Sequence, residues 1–308
     1  MVDNSDKEKY FLGFYGWDKS TRKYISTEEA ESILKMYNFL SMINLIETNY
    51  DILINNFFDL YNSLSEISIR NNISFSFKPT DNYYDERTVI RRINNLLSSC
   101  RLFMDQNLVF LTEYDNTVLE SYKEETHKHY DSSFSYRLCE QLRNSMQHRC
   151  LPIELQYGKD FASKENEKAY EYSILELNVY HLLSLDEKKI KASFRDELKK
   201  LDSDKIDLWF HLEKYITEIG NLMFFLRKTT VSELQQYKAN YLQLIIDNQQ
   251  LHAVDRKNEI QKMIYINVEY QDGNLGSLIL SDSLIKNIEL LQEKNDARKD
   301  FYGHGIKV

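Results

Sequence analysis

Arg143-Asn144-Ser145-Met146-Gln147-His148 is the stretch of this chain in which chemistry-bearing side chains lie closest together. A histidine titrates near neutral pH, so it can take a proton from one atom and return it to another. An arginine keeps its charge and presents a planar fork of donors that matches a phosphate or another oxyanion. An asparagine four residues before the histidine reaches the imidazole on a helix and can fix the ring's orientation. General acid–base work with oxyanion stabilisation is the chemistry this set allows, and no metal is needed for it.

Other sites fall away on inspection. The sequence has no Walker loop, no GxGxxG, no GxSxG, no HExxH and no paired-cysteine zinc framework, so no cofactor and no metal is implied. Asp202-Ser203-Asp204 and the Glu124/His127 pair each stand alone in a polar stretch, where a solvated surface explains them. His127 and His129 are two apart and would not face together on a helix. The serines and cysteines lack an evident partner for nucleophilic work.

The element that must carry the set is residues 131–153, DSSFSYRLCEQLRNSMQHRCLPI, which read as one helix. Asp131 or Ser132 would cap its start, and Leu151-Pro152 would end it. At about 100° per residue, Phe134, Leu138, Leu142 and Met146 form an apolar stripe with Cys139 and Cys150 beside it. The other side carries Arg137, Glu140, Arg143, Asn144, Gln147 and His148. Arg143 and His148 fall about 140° apart around this helix, so they flank the polar face. Arginines at 137, 143 and 149 face only one acid, Glu140, in a chain whose formal charge is −9.

Composition sets the frame. Eight glycines and two prolines in 308 residues are too few for the turns of a sandwich or the loops of a Rossmann fold, and favour long helices. The net negative charge repels nucleic acid as a whole, so any RNA contact must be local. The three cysteines include no CxxC pair and read as buried reduced thiols, in keeping with a cytoplasmic protein. No apolar run is long enough to span a bilayer, and MVDNSDKEKY is no signal peptide, so no membrane partner is expected.

In chain order, residues 1–25 read as an aromatic arm that packs by its rings. Ser26-Thr27-Glu28-Glu29 opens a helix expected from about Thr27 to Ser65. Residues 67–84, with Pro79, read as a loop or short extended piece. A second long helix is expected from Asp85-Glu86, with continuation toward Tyr122. Its polar side carries Arg87, Arg91, Arg92 and Arg101, a row that reads as a solvated face and is also the best basic patch of the first half. KEETHKHY (123–130) reads as a loop or frayed end. Residues 171–183 alternate as a strand would, with helix left open. Residues 186–201, 205–228 and 232–258 read as helices. Residues 260–270 and 277–281 read as strands paired around Asp272-Gly273, and 284–299 as a terminal helix.

At Arg143–His148 the sequence resembles the HEPN superfamily, an all-helical group rich in metal-independent endoribonucleases, toxins and antiviral defence proteins. The residues that carry the resemblance are the R-N-x-x-x-H motif and the helices around it, over about 88–153. The resemblance implies a mainly α fold: a HEPN-like antiparallel helical bundle over residues 1–160, followed at 161–308 by a mostly helical region that accommodates a small β element. It implies RNA as substrate, with His148 taking the proton from a ribose 2′-OH or protonating the leaving oxygen. Arg143 would stabilise the charged phosphorane, Asn144 would position the histidine, and Arg137, Gln147 and Arg149 would contact the substrate. It further implies a homodimer in which two such helices complete one composite site, and a role in phage defence or as a toxin, with an antitoxin or other defence-system protein as possible partner. Families in which a tyrosine lies two residues after the histidine are not matched, since that position is Cys150. A non-catalytic helical module that binds RNA or protein is the competing expectation.

Overall fold

The computed structural model describes residues 9–13, 22–73, 79–146, 153–161, 169–185, 190–248, 253–254, 260–261, 263–270 and 275–296. In chain order these form β1 (Lys9–Gly13), β2 (Lys23–Ile25), α1 (Thr27–Ile73), α2 (Pro79–Tyr114), α3 (Asn116–Ser132) and α4 (Phe134–Met146). Next come β3 (Ile153–Phe161), β4 (Ala169–Asn178), α5 (Val179–Leu185), α6 (Ala192–Lys199), β5 (Lys205–Asp207) and α7 (Leu208–Asp247). Strands β6 (Ala253–Val254), β7 (Ile260–Gln261), β8 (Met263–Glu269) and β9 (Leu275–Ser281) precede α8 (Ser283–Asp296). The fold is mainly helical with small antiparallel sheets.

Two compact units share the chain: Met1–Thr48 with Arg227–Lys294, and Asn49–Leu226 with Asn295–Val308. In the first unit, four antiparallel strands run in the order β2-β1-β8-β9. Residues 260–270 and 277–281, expected as a strand pair, do pair as β8 and β9, with Ile264 opposite Leu280 and Tyr265 opposite Ile279. The aromatic arm contributes a strand to this sheet: Leu12 pairs with Ile266, and Phe11 and Leu12 are buried. Glu47, 1% exposed, ties this unit's helices together. Its two oxygens accept from Arg227 Nε at 3.0 Å and Nη2 at 2.7 Å, and Gln292 Nε2 adds a bond at 2.8 Å.

The second unit holds the helices that matter for the site. Its core is made by Leu53, Phe57 and Leu60 of α1, Ile93, Leu96 and Phe103 of α2, Leu138 and Leu142 of α4, and Leu212, Ile216 and Ile219 of α7, all buried. A three-stranded antiparallel sheet, β3-β4-β5, lies in the same unit. Ser173 of β4 is fastened to α1 through Ser68, whose hydroxyl accepts its N–H at 3.0 Å.

Several expected boundaries move, each for a local reason. Helix α1 runs past Ser65 to Ile73, so no loop occupies 67–73. Pro79 begins α2 instead of lying in a loop, because a proline at a helix's first position gives up no needed N–H and already has helical φ. KEETHKHY is helix within α3: Asp115 caps it by accepting from the N–H groups of Thr117 and Val118. Its charges pair along the surface, Lys123 with Glu120 at 2.8 Å and Lys128 with Glu125 at 3.0 Å. The alternating stretch near Glu171 is strand β4 only up to Asn178, whose side chain then caps α5 by accepting the His181 N–H at 2.9 Å. Residues 205–207 are strand and not helix, and Asp207 caps the start of α7 by accepting the Phe210 N–H at 3.2 Å. The helices expected at 205–228 and 232–258 are one helix, α7, ending at Asp247.

Candidate functional site

Helix α4 begins with a single-residue corner. The stretch from Asp131 is two helices and not one: α3 ends at Ser132 and α4 starts at Phe134. Ser133 serves both ends, which displaces Asp131 and Ser132 as the expected cap. Its N–H donates to the His129 carbonyl at 3.1 Å, closing α3. Its hydroxyl accepts the Tyr136 N–H at 3.1 Å, opening α4. Ile153 belongs to strand β3, so the helix does not reach it.

The inner face of α4 is more polar than its apolar stripe suggests. Leu138, Cys139 and Leu142 are buried as expected, but so are Ser135, Gln141 and Ser145. Ser135 lies 2.8 Å from Nδ1 of His211 on α7, whose carbonyl also meets the Cys139 thiol at 3.8 Å. Burial pulls His211 down to about 4, so the imidazole is neutral at physiological pH. Ser135 is 3% exposed, which makes the pair an internal fastening and keeps substrate away from it. Burial likewise pushes the Cys100 and Cys139 thiols well up, so they are inert.

The arginines of α4 have different surroundings. Arg137 Nε and Nη2 grip both oxygens of Glu197 on α6, at 3.1 and 2.7 Å. Its Nη1 donates to the carbonyls of Tyr130 and Asp131 at 2.7 and 2.8 Å, satisfying the end of α3. Each guanidinium nitrogen of Arg137 is therefore engaged. Arg143, in the last turn, donates from Nη1 to Asn144 Oδ1 at 3.1 Å. Its Nε has no hydrogen-bond partner, and no carboxylate pairs with it among the described residues. Asn144 is exposed beside it. The motif's first two residues are thus joined. Gln147, His148 and Arg149 lie outside the described residues.

Two of the four arginines in the basic row of α2, Arg92 and Arg101, meet carboxylates within their own surroundings. Arg92 pairs with Asp59 of α1 at 2.7 Å, and Arg87 lies over the Tyr83 ring at 5.3 Å. Arg101 grips Asp105 with Nε at 3.0 Å and Nη2 at 2.8 Å, and reaches Glu140 of α4 at 3.4 Å. Glu140, on the expected polar side of α4, is largely buried and also accepts from the Tyr215 hydroxyl at 2.6 Å.

Between α2, α3, α4 and the start of α6 lies a cavity of about 440 Å³, to which Asn144, Arg137 and Glu140 all contribute. Tyr130, Tyr136 and Phe194 form its aromatic walls, and Lys123, His127 and Lys191 stand around it. Tyr136 donates to Met104 Sδ at 2.8 Å, and burial raises its phenol far above the ordinary range. Tyr122, also in the wall, is pushed up to about 12 by burial. Both phenols stay protonated at any physiological pH.

This cavity is what reading the sequence for motifs missed. Taking 123–130 as a loop removed one wall, and the acids paired at three-residue spacing with Lys123 and Lys128 were the signal that it is helix. Among the described residues no group of three or more histidine, cysteine, aspartate or glutamate side chains is gathered to hold a metal. No described helix is long and apolar enough to cross a membrane. No protein-family model, curated protein or solved structure matches the chain.

Proposed function

We propose that this chain is a metal-independent endoribonuclease of the HEPN type, acting in the cytoplasm in phage defence or as a toxin. The observation that carries the proposal is the Arg143–Asn144 pair in the last turn of α4. Arg143 is held by one neutral amide oxygen at 3.1 Å and has no carboxylate partner among the described residues, so its charge is available to an incoming anion. A fully paired arginine, as Arg137 is, lacks that capacity.

In this reading His148, four residues beyond Asn144, takes the proton from a ribose 2′-OH. The freed oxygen attacks the adjacent phosphorus, the bond to the 5′ oxygen breaks, and that oxygen leaves with a proton. The strand is left with a 2′,3′-cyclic phosphate on one fragment and a 5′-hydroxyl on the other. Arg143 neutralises the charge that builds on the phosphorane oxygens, and Asn144 orients the histidine. Gln147 and Arg149 contact the RNA. Arg137, with every guanidinium nitrogen engaged, holds α4 in place and touches the strand at most from the cavity side. A second copy of the chain completes the site, with both copies' Arg143 and His148 in one composite centre.

The test is RNA cleavage by purified protein in EDTA, with the ends of the fragments analysed. Cleavage that leaves 2′,3′-cyclic phosphates and is lost in both His148→Ala and Arg143→Ala supports the proposal. Cleavage by His148→Ala at the wild-type rate overturns it. A stable dimer that binds RNA or a protein partner and never cuts replaces it with a non-catalytic helical module.

A further inference from the structure

We propose that strand β9 is an interaction edge on which a second copy of this chain pairs, β9 against β9 antiparallel, joining two four-stranded sheets into one continuous sheet. The edge belongs to the unit of Met1–Thr48 with Arg227–Lys294, whereas α4 belongs to the other unit. The inference therefore stands apart from the ribonuclease reading.

The order β2-β1-β8-β9 leaves two edges, and they are built differently. Strand β2 is three residues long and begins with Lys23, a short charged edge of the kind that resists pairing. Strand β9, LGSLILS, is seven residues long with no charge and no proline. Its register against β8 is unbroken, from Leu275 opposite Glu269 to Ser281 opposite Met263, so no bulge turns it aside.

The next question is which backbone groups face outward. In an antiparallel ladder alternate residues turn their N–H and C=O toward one neighbour, and the rest turn them away. Ser281 marks the parity: its N–H donates to the Tyr241 hydroxyl of α7 at 2.8 Å, so it does not point at β8. Leu275, Ser277 and Ile279 share that outward direction. Among the described residues no strand or loop pairs with the backbone on that side. Ser277 and Ile279 are exposed, Ile279 at 48%. An open row of donors and acceptors on an uncharged strand is a template for another strand.

The strand that fits is β9 itself. Tyr241 already holds the Ser281 N–H, which leaves residues 275, 277 and 279 for a partner. A twofold axis at Ser277 uses those positions and no others. Ser277 of one copy then faces Ser277 of the other, and Leu275 faces Ile279 on either side of the axis, each pair exchanging both backbone bonds. Leu275 and Ile279 become an apolar cross-strand pair. In a symmetric pairing a charge near the axis meets its own like, which is destabilising. Strand β9 has none, and Asp282, the first charge on its C-terminal side, is paired with Lys286 at 2.8 Å. The match is built into one sequence and needs no other partner.

The experiment is analytical ultracentrifugation of the full-length chain at micromolar concentration, beside Ile279→Lys and Ile279→Pro. Lysine sets like charges on the edge, and proline removes an outward N–H without breaking a bond to β8. Position 279 is exposed, and circular dichroism checks that both variants keep the fold. The wild type is expected to sediment with at least two copies, and each variant with half that number. Cysteine variants read the register, with the wild type as control for its own thiols. Ser277→Cys should form a disulfide-linked dimer under air oxidation, because the two Cα atoms lie about 5.5 Å apart. Ile279→Cys should not, since its two copies lie about 13 Å apart along the strands. A wild type that sediments as one copy, a mass unchanged in both position-279 variants, or linking of Ile279→Cys as readily as Ser277→Cys overturns the proposal. In the first case the edge is left to an extended segment of another protein.

Discussion

The two ends of α4 put one residue type to opposite uses. At the first turns Arg137 is clasped by a carboxylate and two backbone carbonyls, and it joins three helices. In the last turn Arg143 has a single amide contact, an idle Nε and no described counter-charge. Nothing in the identity of an arginine distinguishes these roles. What distinguishes them is how many acceptors the fold brings within reach, and only an arginine left short of acceptors is available for chemistry.

That contrast can be broken by substitution, and the expected effects fall in a definite order. His148→Ala should reduce RNA cleavage by about 10²- to 10⁴-fold, the usual contribution of a positioned acid–base group, measured by fragment yield in EDTA. An intact rate would remove His148 from the proposed chemistry. Arg137→Ala should lower folding stability by ~2 kcal/mol, since it strands Glu197 and two carbonyls, and urea unfolding would show it. If the loss is no greater than for a surface lysine, the clasp is not what holds α4.

The anchoring of the inner face has a pH signature. His211 is held neutral with its pKa lowered from 6.5 to about 4. The unfolded chain therefore takes up a proton before the folded one as the pH falls. Stability from this group is complete above 6.5, declines between 6.5 and about 4, and changes no further below. Discounted for the ring's partial exposure, the loss is ~1–2 kcal/mol. His211→Gln should flatten that part of the stability–pH curve, and a curve of unchanged shape would refute the anchor.

Smaller effects close the series. Ser133→Ala should cost ~1 kcal/mol by removing the hydroxyl that opens α4, again by urea unfolding. Arg143→Ala should leave stability within ~0.5 kcal/mol of wild type, its expected effect falling on the proposed cleavage and not on the fold. A large stability loss there would make the two ends of α4 alike, and the comparison would fail.

Much of the helical framework could be read from periodicity. The apolar spacing from Ile33 to Leu64 specified α1, and the β8–β9 pair came from alternation around Asp272-Gly273. What escaped was where helices stop. A cap is one side chain meeting one or two N–H groups, and Asp131, Ser132 and Ser133 are equally able to do it. Which of them does is settled by how α3 and α4 pack, and that information is not local. The same holds for the site. The adjacency of Arg143 and Asn144 is written in the chain, whereas the cavity joins residues as far apart as Arg101 and Lys191. Arg137 shows the limit most plainly: sequence put it among substrate contacts, and its counter-ion lies sixty residues on, at Glu197.

Because the corner between α3 and α4 is secured by a side chain and not by the backbone alone, it carries a constraint on descent. Losing Glu197 leaves Arg137 with a charge lacking its carboxylate partner, and losing Arg137 opens the last carbonyls of α3. Neither change is neutral alone, so the two positions should drift together or not at all. In any set of descendants of this sequence, a swap at one should be accompanied by a matching swap at the other.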